Sequence, residues 1–298
     1  MASFKFRQAT GRVIYTIFCA ALALLMWACA AASRPPDPNK PRANEPPYPI
    51  IFSASEETRQ KSLASWAALT HAQGIENAPA PELQPATATI SALPAAAALS
   101  LQIPKVETGQ TGKEASEEET RESLRRFIAN ASSLLGIDPR DVSLIERADK
   151  NDQKIARYRQ APFAYPLRAG YGMLEITFTP DRRVLQLSST AIPDTERINR
   201  ALTALRDRLT AEQAAARLQG RGFSYQESTG KEATYTVAAP DEIRVRELVI
   251  YPIKRANDPS SLELHLAWEI AVRPSAPLLV YMDAVTGEII AAAQAPST

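Results

Sequence analysis

The stretch that decides the fold is LELHLAWEIAV, residues 262–272. Large apolar residues occupy every second position along it, and smaller or polar residues occupy the positions between them. Such alternation is typical of a strand with one buried face and one solvated face. His265 falls on the polar face, so we expect its side chain to be exposed. The apolar positions are Leu262, Leu264, Leu266, Trp268, Ile270 and Val272.

A turn is predicted further along the chain, between two shorter apolar runs. Two apolar runs, 278–282 and 288–293, flank the segment DAVTG at 283–287. In such a turn the Asp283 carboxylate accepts hydrogen bonds from backbone N–H groups, and Gly287 suits a position with positive φ. We therefore predict a structural role for Asp283, Thr286 and Gly287.

Helical and strand patterns also alternate upstream. Ser116 and Glu119 form a capping-box pattern, followed by apolar residues at helical spacing up to Gly136. Residues 174–187 alternate around the polar turn 180–183, which predicts a β-hairpin.

Two more helices are predicted before the C-terminal strands. One spans 195–209, and a second begins at the capping-box pattern Thr210–Gln213 and ends near Gly220 or Gly222. We therefore predict an α+β protein in which helices cover antiparallel sheets.

The N-terminal sequence has the pattern of an export or anchor signal. Three basic residues precede residues 13–32, a stretch of 20 uncharged residues. This length fits a transmembrane helix, and the small residues at its end fit signal cleavage. Cys29 follows Ala28 and is a candidate for lipidation. A cleaved signal, an uncleaved anchor and a lipoprotein all remain open for residues 1–32, and each implies export to the periplasm, the cell envelope or the medium.

The next segments carry fewer signals. Residues 33–49 contain seven prolines and predict an extended spacer. Residues 50–115 predict one amphipathic helix at 55–73, followed by an Ala- and Pro-rich region with a short strand within 86–93. No function is assigned to 50–115, and we expect the N-terminal third to be poorly ordered and close to a membrane.

The composition excludes several function classes. The 298 residues include 34 Lys and Arg against 33 Asp and Glu, a balance that argues against nucleic-acid binding. The two histidines, His71 and His265, stand alone, and no zinc, nucleotide or hydrolase motif is present. An enzyme built on this sequence would need His265 with Glu263 or Glu269. We predict no catalytic activity, no metal and no cofactor.

Residues 120–293 resemble the propeptide region of thermolysin- and fungalysin-type zinc metalloproteases. The matching segments are FIANASSLLGIDPRDVSL, GYGMLEITFTPDRRVLQLSSTAIP and LHLAWEIAVRPSAPLLVYMDAVTGEII. The resemblance implies a propeptide-like module at 116–193 and a PepSY-like module at 194–298. The HExxH motif of those proteases is missing from this sequence. The resemblance therefore implies the part that folds and inhibits the protease, without the proteolytic activity.

Three roles follow as hypotheses. The first is a propeptide-like inhibitor or folding assistant of an extracytoplasmic zinc metalloprotease. The second is an envelope-anchored lipoprotein adaptor or scaffold with no protease partner. The third is a remnant of a protease that has lost its catalytic domain.

Overall fold

A computed structural model describes residues 48–98, 100–106, 113–150, 152–227, 229–273 and 278–295. The predicted signal or anchor 1–32, the candidate lipidation residue Cys29 and most of the Pro-rich spacer lie outside these ranges. In chain order the elements are β1 (Ile50–Phe52), α1 (Glu56–Ala72), β2 (Glu82–Leu83), β3 (Ile90–Ala92), α2 (Lys113–Asn130), α3 (Ser132–Leu135), β4 (Val142–Lys150), β5 (Gln153–Gln160), β6 (Met173–Phe178), β7 (Val184–Ser189), α4 (Thr195–Thr203), α5 (Ala211–Leu218), β8 (Gly222–Gln226), β9 (Glu232–Thr236), β10 (Ile243–Arg255), β11 (Asp258–Val272), β12 (Leu278–Asp283) and β13 (Ile289–Gln294).

The larger sheet is built around β11. Its strand order is β1-β11-β12-β13-β8-β9, and β10 pairs with the second edge of β11. All these pairs are antiparallel except β13 with β8. β10 runs along the whole length of one edge of β11. β1 and β12 pair with the opposite edge of β11, one after the other.

The apolar alternation along β11 is confirmed. Leu262, Leu264, Leu266 and Ile270 are fully buried and pack with residues of β1, α4, α5 and β12. The second face of β11 differs from the prediction, because Ala267 and Glu269 are also buried. An alternating pattern shows which residues face the core, and it does not show whether the opposite face is covered.

The smaller sheet has the order β4-β5-β6-β7, and α2 and α3 pack against one of its faces. Its core contains the fully buried side chains of Phe127, Leu134, Ile176 and Leu187. The predicted hairpin is confirmed as β6–β7. The hairpin β4–β5 carries charged residues on many positions, and the sequence patterns did not predict it.

Two helix boundaries differ from the prediction. Helix α2 begins at Lys113, so Ser116 lies inside the helix and does not cap its start. The extra turn consists of Lys, Glu and Ala, which favour helix. Helix α4 ends at Thr203 rather than at 209, and the Leu209 N–H donates to the carbonyl of Ala284, 2.7 Å away. The capping box that starts α5 at Thr210 is confirmed.

The expectation of a poorly ordered N-terminal third is wrong for residues 48–98 and 100–106. Trp66 is buried against α2 and α3, and Ile50 and Phe52 complete the core beneath β11. The Leu101 carbonyl accepts from the Val184 N–H at 2.8 Å, which joins this region to the β6–β7 hairpin. These contacts are long-range in sequence, so local composition does not reveal them.

The fold is therefore α+β, as predicted, with helices on antiparallel sheets. The module boundaries at residues 115/116 and 193/194 stay predictions. Among the helices that the structure describes, none combines enough length with enough apolar character to cross a membrane.

Candidate functional site

The first cluster of polar groups lies at the polar junction, where β1 and β12 meet along one edge of β11. β1 pairs with β11 up to Leu264, and β12 pairs with it from Ala267 onward. Between them, the Leu266 N–H donates to the Tyr48 hydroxyl at 2.9 Å, and the Leu266 carbonyl accepts from the Ala284 N–H at 2.8 Å. Tyr48 therefore satisfies a backbone donor that would otherwise lack a partner in the gap between two strands.

Asp283 lies at the centre of this junction and is 1% exposed. Its Oδ2 accepts from the Tyr48 hydroxyl at 2.8 Å and from His265 Nδ1 at 2.7 Å. Its Oδ1 accepts from the backbone N–H groups of Val285 and Thr286 at 2.8 and 2.9 Å. Burial alone would raise the pKa of Asp283, but the hydrogen bonds from His265 and these backbone groups hold it below its usual value.

The predicted exposure of His265 is wrong. Its side chain is 12% exposed and is held by Asp283, with the Tyr48 ring edge-on at 5.9 Å between centroids. Its Nε2 is buried, forms no hydrogen bond and lies 3.5 Å from Glu263 Oε2. The alternation places His265 on the second face of β11 as expected. That face is covered at this point, so the imidazole is not solvated.

The turn after β12 has the geometry proposed from the sequence. Gly287 has a φ of 76°, and its N–H donates to the Asp283 carbonyl at 2.9 Å. The guanidinium of Arg217 donates to the Thr286 carbonyl at 3.1 Å, and that of Arg221 donates to the Gly287 carbonyl at 3.3 Å. A Cβ at position 287 would collide with the Arg217 guanidinium, so glycine is needed for both the φ and the close approach.

Sequence reasoning missed Tyr48, because it stands among the prolines of the predicted spacer. Burial raises its pKa far above its usual value, and the neighbouring Asp283 charge adds to this effect. The hydroxyl therefore keeps its proton and serves as a donor to Asp283 and an acceptor from Leu266. The cluster fixes backbone positions, and its carboxylate already accepts four hydrogen bonds.

A second buried carboxylate lies on the same face of β11. Glu269 is 3% exposed, and Arg168 Nε donates to its Oε2 at 2.6 Å. Arg246 donates to the other oxygen at 3.3 Å, and the Tyr281 hydroxyl donates to Oε2 at 3.4 Å. Burial opposes ionisation of Glu269, yet the two guanidinium groups hold its pKa below the usual value. Glu269 thus belongs to a separate ion-pair network and does not assist His265.

An open groove of about 970 Å³ lies between α1, α2 and the 180–182 turn. Gln73 makes two hydrogen bonds with the backbone of Gln102, and Arg182 donates to Ser123 at 2.8 Å. These side chains join the surrounding elements to one another. In the described ranges, no group of three or more His, Cys, Asp or Glu side chains is placed to hold a metal ion.

The free edge of the smaller sheet is the most distinctive surface. β4 is nine residues long, and within the described part of the chain no strand pairs with its outer edge. A β-bulge interrupts its register between Leu144 and Glu146. Ile145, inside this bulge, is 43% exposed and is the one exposed large hydrophobic side chain among the described residues.

The fold and these surfaces define an α+β protein with a structural polar junction and an exposed sheet edge. No family model matches the chain, and no curated protein matches it. Among solved structures, it is similar to the Bacillus megaterium YpeB C-terminal domain, with 11% identity over 65% of this chain and 70% of that one, at a TM-score of 0.27. A likeness at this TM-score carries no argument about function.

Proposed function

We propose that this chain is a non-catalytic protein-binding module that acts outside the cytoplasm. In the finer form of the proposal, it is a propeptide-like inhibitor or folding assistant of an extracytoplasmic zinc metalloprotease. The observation that carries the proposal is the unpaired edge of β4 with Ile145 exposed at its bulge.

An unpaired strand edge presents backbone N–H and C=O groups that an extended segment of another protein can pair with. Charged side chains on an edge normally discourage such pairing by repulsion or by the cost of removing them from water. Three of the four charged side chains on β4 are paired within the chain: Glu146 with Arg157, Arg147 with Glu117, and Asp149 with Lys154, at 2.7, 3.1 and 3.2 Å. The fourth, Lys150, is the last residue of the strand. These pairs leave the edge open to an added strand, with Ile145 as an apolar anchor.

The polar junction supports the non-catalytic part of the proposal. Asp283 accepts four hydrogen bonds, and Tyr48 retains its proton because burial raises its pKa. The free nitrogen of His265 is buried. A general base must reach the proton that it abstracts from a substrate. This arrangement offers no such access and instead anchors β1 and β12 to β11.

Export and the kind of partner rest on the sequence. The uncharged stretch 13–32 after three basic residues supports transport out of the cytoplasm. The resemblance to metalloprotease propeptides supports a protease partner. An envelope protein without protease activity is the alternative partner, and the same edge would serve it.

The test is inhibition of zinc metalloproteases purified from the exported fraction of the source cells, using the full chain and a fluorogenic casein substrate. We expect micromolar full chain to slow the protease, and Ile145→Lys to weaken the effect. Thr234→Lys is the matched control, because it places the same charge on β9, an edge strand of the larger sheet.

The expected size follows from the exposed part of Ile145. Burying a whole isoleucine side chain contributes about 1.5–3 kcal/mol. Because 43% of the residue remains exposed, its burial by a partner contributes about 1 kcal/mol. Loss of this term, together with the cost of burying a lysine, predicts at least about a tenfold higher inhibition constant for Ile145→Lys.

Two results would contradict the proposal. Absence of slowing at micromolar concentration removes the protease-inhibitor form. Equal inhibition by wild type, Ile145→Lys and Thr234→Lys removes β4 as the binding edge. Binding of a non-protease envelope protein that is lost only in Ile145→Lys would instead support the adaptor role.

A further inference from the structure

The part of β4 that follows the bulge carries charges that complement their own reverse order. It has the sequence ERADK, residues 146–150, called the ERADK segment below. From its first residue to its last, the charges are negative, positive, neutral, negative and positive. In reverse order they are positive, negative, neutral, positive and negative. Two antiparallel copies of the segment centred on Ala148 therefore place every charge opposite a charge of the other sign.

We propose that the β4 edge binds a second copy of this chain, by antiparallel pairing of the two ERADK segments around a two-fold axis at Ala148. In a two-fold interface, residue i of one copy contacts residue j of the other, and j contacts i. Glu146 then lies opposite Lys150, and Arg147 opposite Asp149, each pair occurring twice. The inference deepens the proposed function and rests on it, because self-pairing would withhold the same edge from a partner protein.

The backbone of β5 shows which of its residues bond to β4. The Gln160 N–H donates to the Gly172 carbonyl on the β6 side at 2.8 Å, and the Ala161 N–H donates to the Asp141 carbonyl on the β4 side at 2.9 Å. Backbone groups change sides at each residue of an antiparallel strand, and β5 pairs with β6 without a bulge. Counting back from Ala161 by twos, the backbone groups of Gln153 point towards β4.

The outward backbone groups of β4 fit the proposed register. Lys150 is the cross-strand partner of Gln153, so its backbone groups point inward to β5, as do those of Ala148 two residues earlier. The N–H and C=O groups of Arg147 and Asp149 therefore point outward, away from β5. In a strand pair, outward groups of one copy must meet outward groups of the other. Each Arg147–Asp149 pair meets this condition and can exchange both of its backbone hydrogen bonds.

The charges also select Ala148 as the centre. It is the one uncharged residue of the ERADK segment, so any other centre within the segment places a charged residue opposite its own copy. Centring on Arg147 would bring two guanidinium groups together, and centring on Asp149 would bring two carboxylates together. Like charges directly opposite each other destabilise a strand pair. Backbone direction and charge thus agree on one register.

The side chains of the segment can take a second partner. Lys150 is exposed and has no ion-pair partner within the described ranges. Glu146 binds Arg157 through Oε2, so its Oε1 can accept from Lys150 of a second copy. Arg157 also binds Glu175 at 2.7 Å, so its position does not depend on Glu146 alone. The pairing ends at the bulge, because Ile145 would lie opposite position 151, beyond the end of the second copy's β4.

The direct test is disulfide cross-linking of Ala148→Cys in the full chain, with Cys19 and Cys29 changed to serine and copper–phenanthroline as the oxidant. In the proposed register, position 148 faces its own copy in a non-hydrogen-bonded pair, whose Cα atoms lie about 4.5 Å apart, within the span of a disulfide. Ser143→Cys is an exposed control on the same strand, about 17 Å from the axis. Thr234→Cys is an exposed control on β9.

We expect Ala148→Cys to form a linked dimer at least about tenfold faster than either control, because the proposed register holds only its two thiols within reach of each other. Equal cross-linking rates in the three variants overturn the proposal. The edge would then be left to a partner protein of another kind.

A charge exchange in the Ala148→Cys chain tests the register. Glu146→Lys and Lys150→Glu each place like charges opposite each other, so each alone should slow cross-linking by about tenfold. An equimolar mixture of the two should recover about half of the original rate, because about half of the encounters then join complementary chains. Lys231→Glu, an exposed change near the start of β9, should have no effect. A mixture that cross-links as slowly as its components contradicts the register.

Protease inhibition by the Ala148→Cys chain separates this inference from the proposed function. If the two copies occupy the partner-binding edge, the oxidised dimer should slow the metalloprotease at least about tenfold less than the reduced chain. Equal inhibition by both forms contradicts the shared edge. Selective cross-linking at position 148 without inhibition by either form refutes the proposed function and supports the pairing. Inhibition without selective cross-linking refutes the pairing and supports the proposed function.

Discussion

Removal of one hydroxyl, in Tyr48→Phe, tests the structural role of the polar junction. The Tyr48 hydroxyl donates to an ionised carboxylate at 2.8 Å and accepts from the Leu266 N–H at 2.9 Å. Phenylalanine keeps the ring and its edge-on contact with His265, so the change removes both hydrogen bonds and little else. The decrease in unfolding free energy should therefore measure the contribution of these two hydrogen bonds to stability.

The magnitude follows from the charge and burial of the partners. A hydrogen bond to a charged group contributes about 1.5–3 kcal/mol, and a buried donor left without a partner costs about 1–3 kcal/mol. Tyr48 is half-buried, so water entering the gap offsets part of this loss. We expect Tyr48→Phe to lower the unfolding free energy by about 2–3 kcal/mol and the melting temperature by about 4–10 °C.

The assay is urea unfolding of the full chain, followed by circular dichroism and checked by thermal unfolding. Tyr251→Phe is the control, because the Tyr251 ring packs at a tilt against that of Tyr281, with centroids 4.5 Å apart, while its hydroxyl forms no hydrogen bond with another described residue. We expect the control to change stability by less than about 0.5 kcal/mol. If Tyr48→Phe and Tyr251→Phe lose the same free energy, the junction does not depend on the Tyr48 hydroxyl and the reasoning is wrong.

Three further predictions concern the turn and the buried carboxylates. Gly287→Ala should lower the unfolding free energy by about 1–2 kcal/mol, because alanine is strained at a φ of 76° and displaces the Arg217 guanidinium. An unchanged midpoint of urea unfolding would contradict this prediction. The lowered pKa of Asp283 contributes stability above the unfolded value of about 3.9, and this contribution is lost as the pH falls through the folded pKa. Lowering the pH from 5 to 2 should therefore destabilise the wild type more than Asp283→Asn. If stability falls in parallel with pH in both proteins, the lowered pKa of Asp283 does not contribute to stability. Glu269→Ala should lower the unfolding free energy measured in urea by about 2–3 kcal/mol, since it leaves Arg168 with one of its two carboxylates. Arg168→Ala should lower it by most of the same amount. If the losses of the two single variants add up in the double variant, the two side chains do not form a direct pair.

Much of the fold was predictable because its signals are local. The period-two pattern of 262–272 identified the central strand, and the β6–β7 hairpin and the α5 capping box followed from turn and cap residues. The missed elements lack such signals. β4 and β5 carry charges at many positions, because one face of their sheet is solvated. β1 has three residues and exists only through its pairing with β11.

The polar junction was predictable only in part. The turn around Asp283 and Gly287 is encoded within a few residues, so the sequence indicated its geometry. Tyr48 lies 235 positions from Asp283 in sequence, and nothing local indicates that they meet. The exposure of the His265 side chain was predicted wrongly for a related reason. Its position on the second face of β11 follows from the alternation, but the cover over that face comes from distant residues.

Hydrogen exchange of the full chain with and without a metalloprotease from the exported fraction tests the central claim most directly. Partner binding at the exposed edge predicts increased protection of backbone amides in Val142–Lys150 and no change in Glu232–Thr236, an edge strand of the larger sheet. The protection should be lost in Ile145→Lys. Unchanged exchange throughout β4 under conditions that slow the protease would contradict the account, because the binding surface would then lie elsewhere.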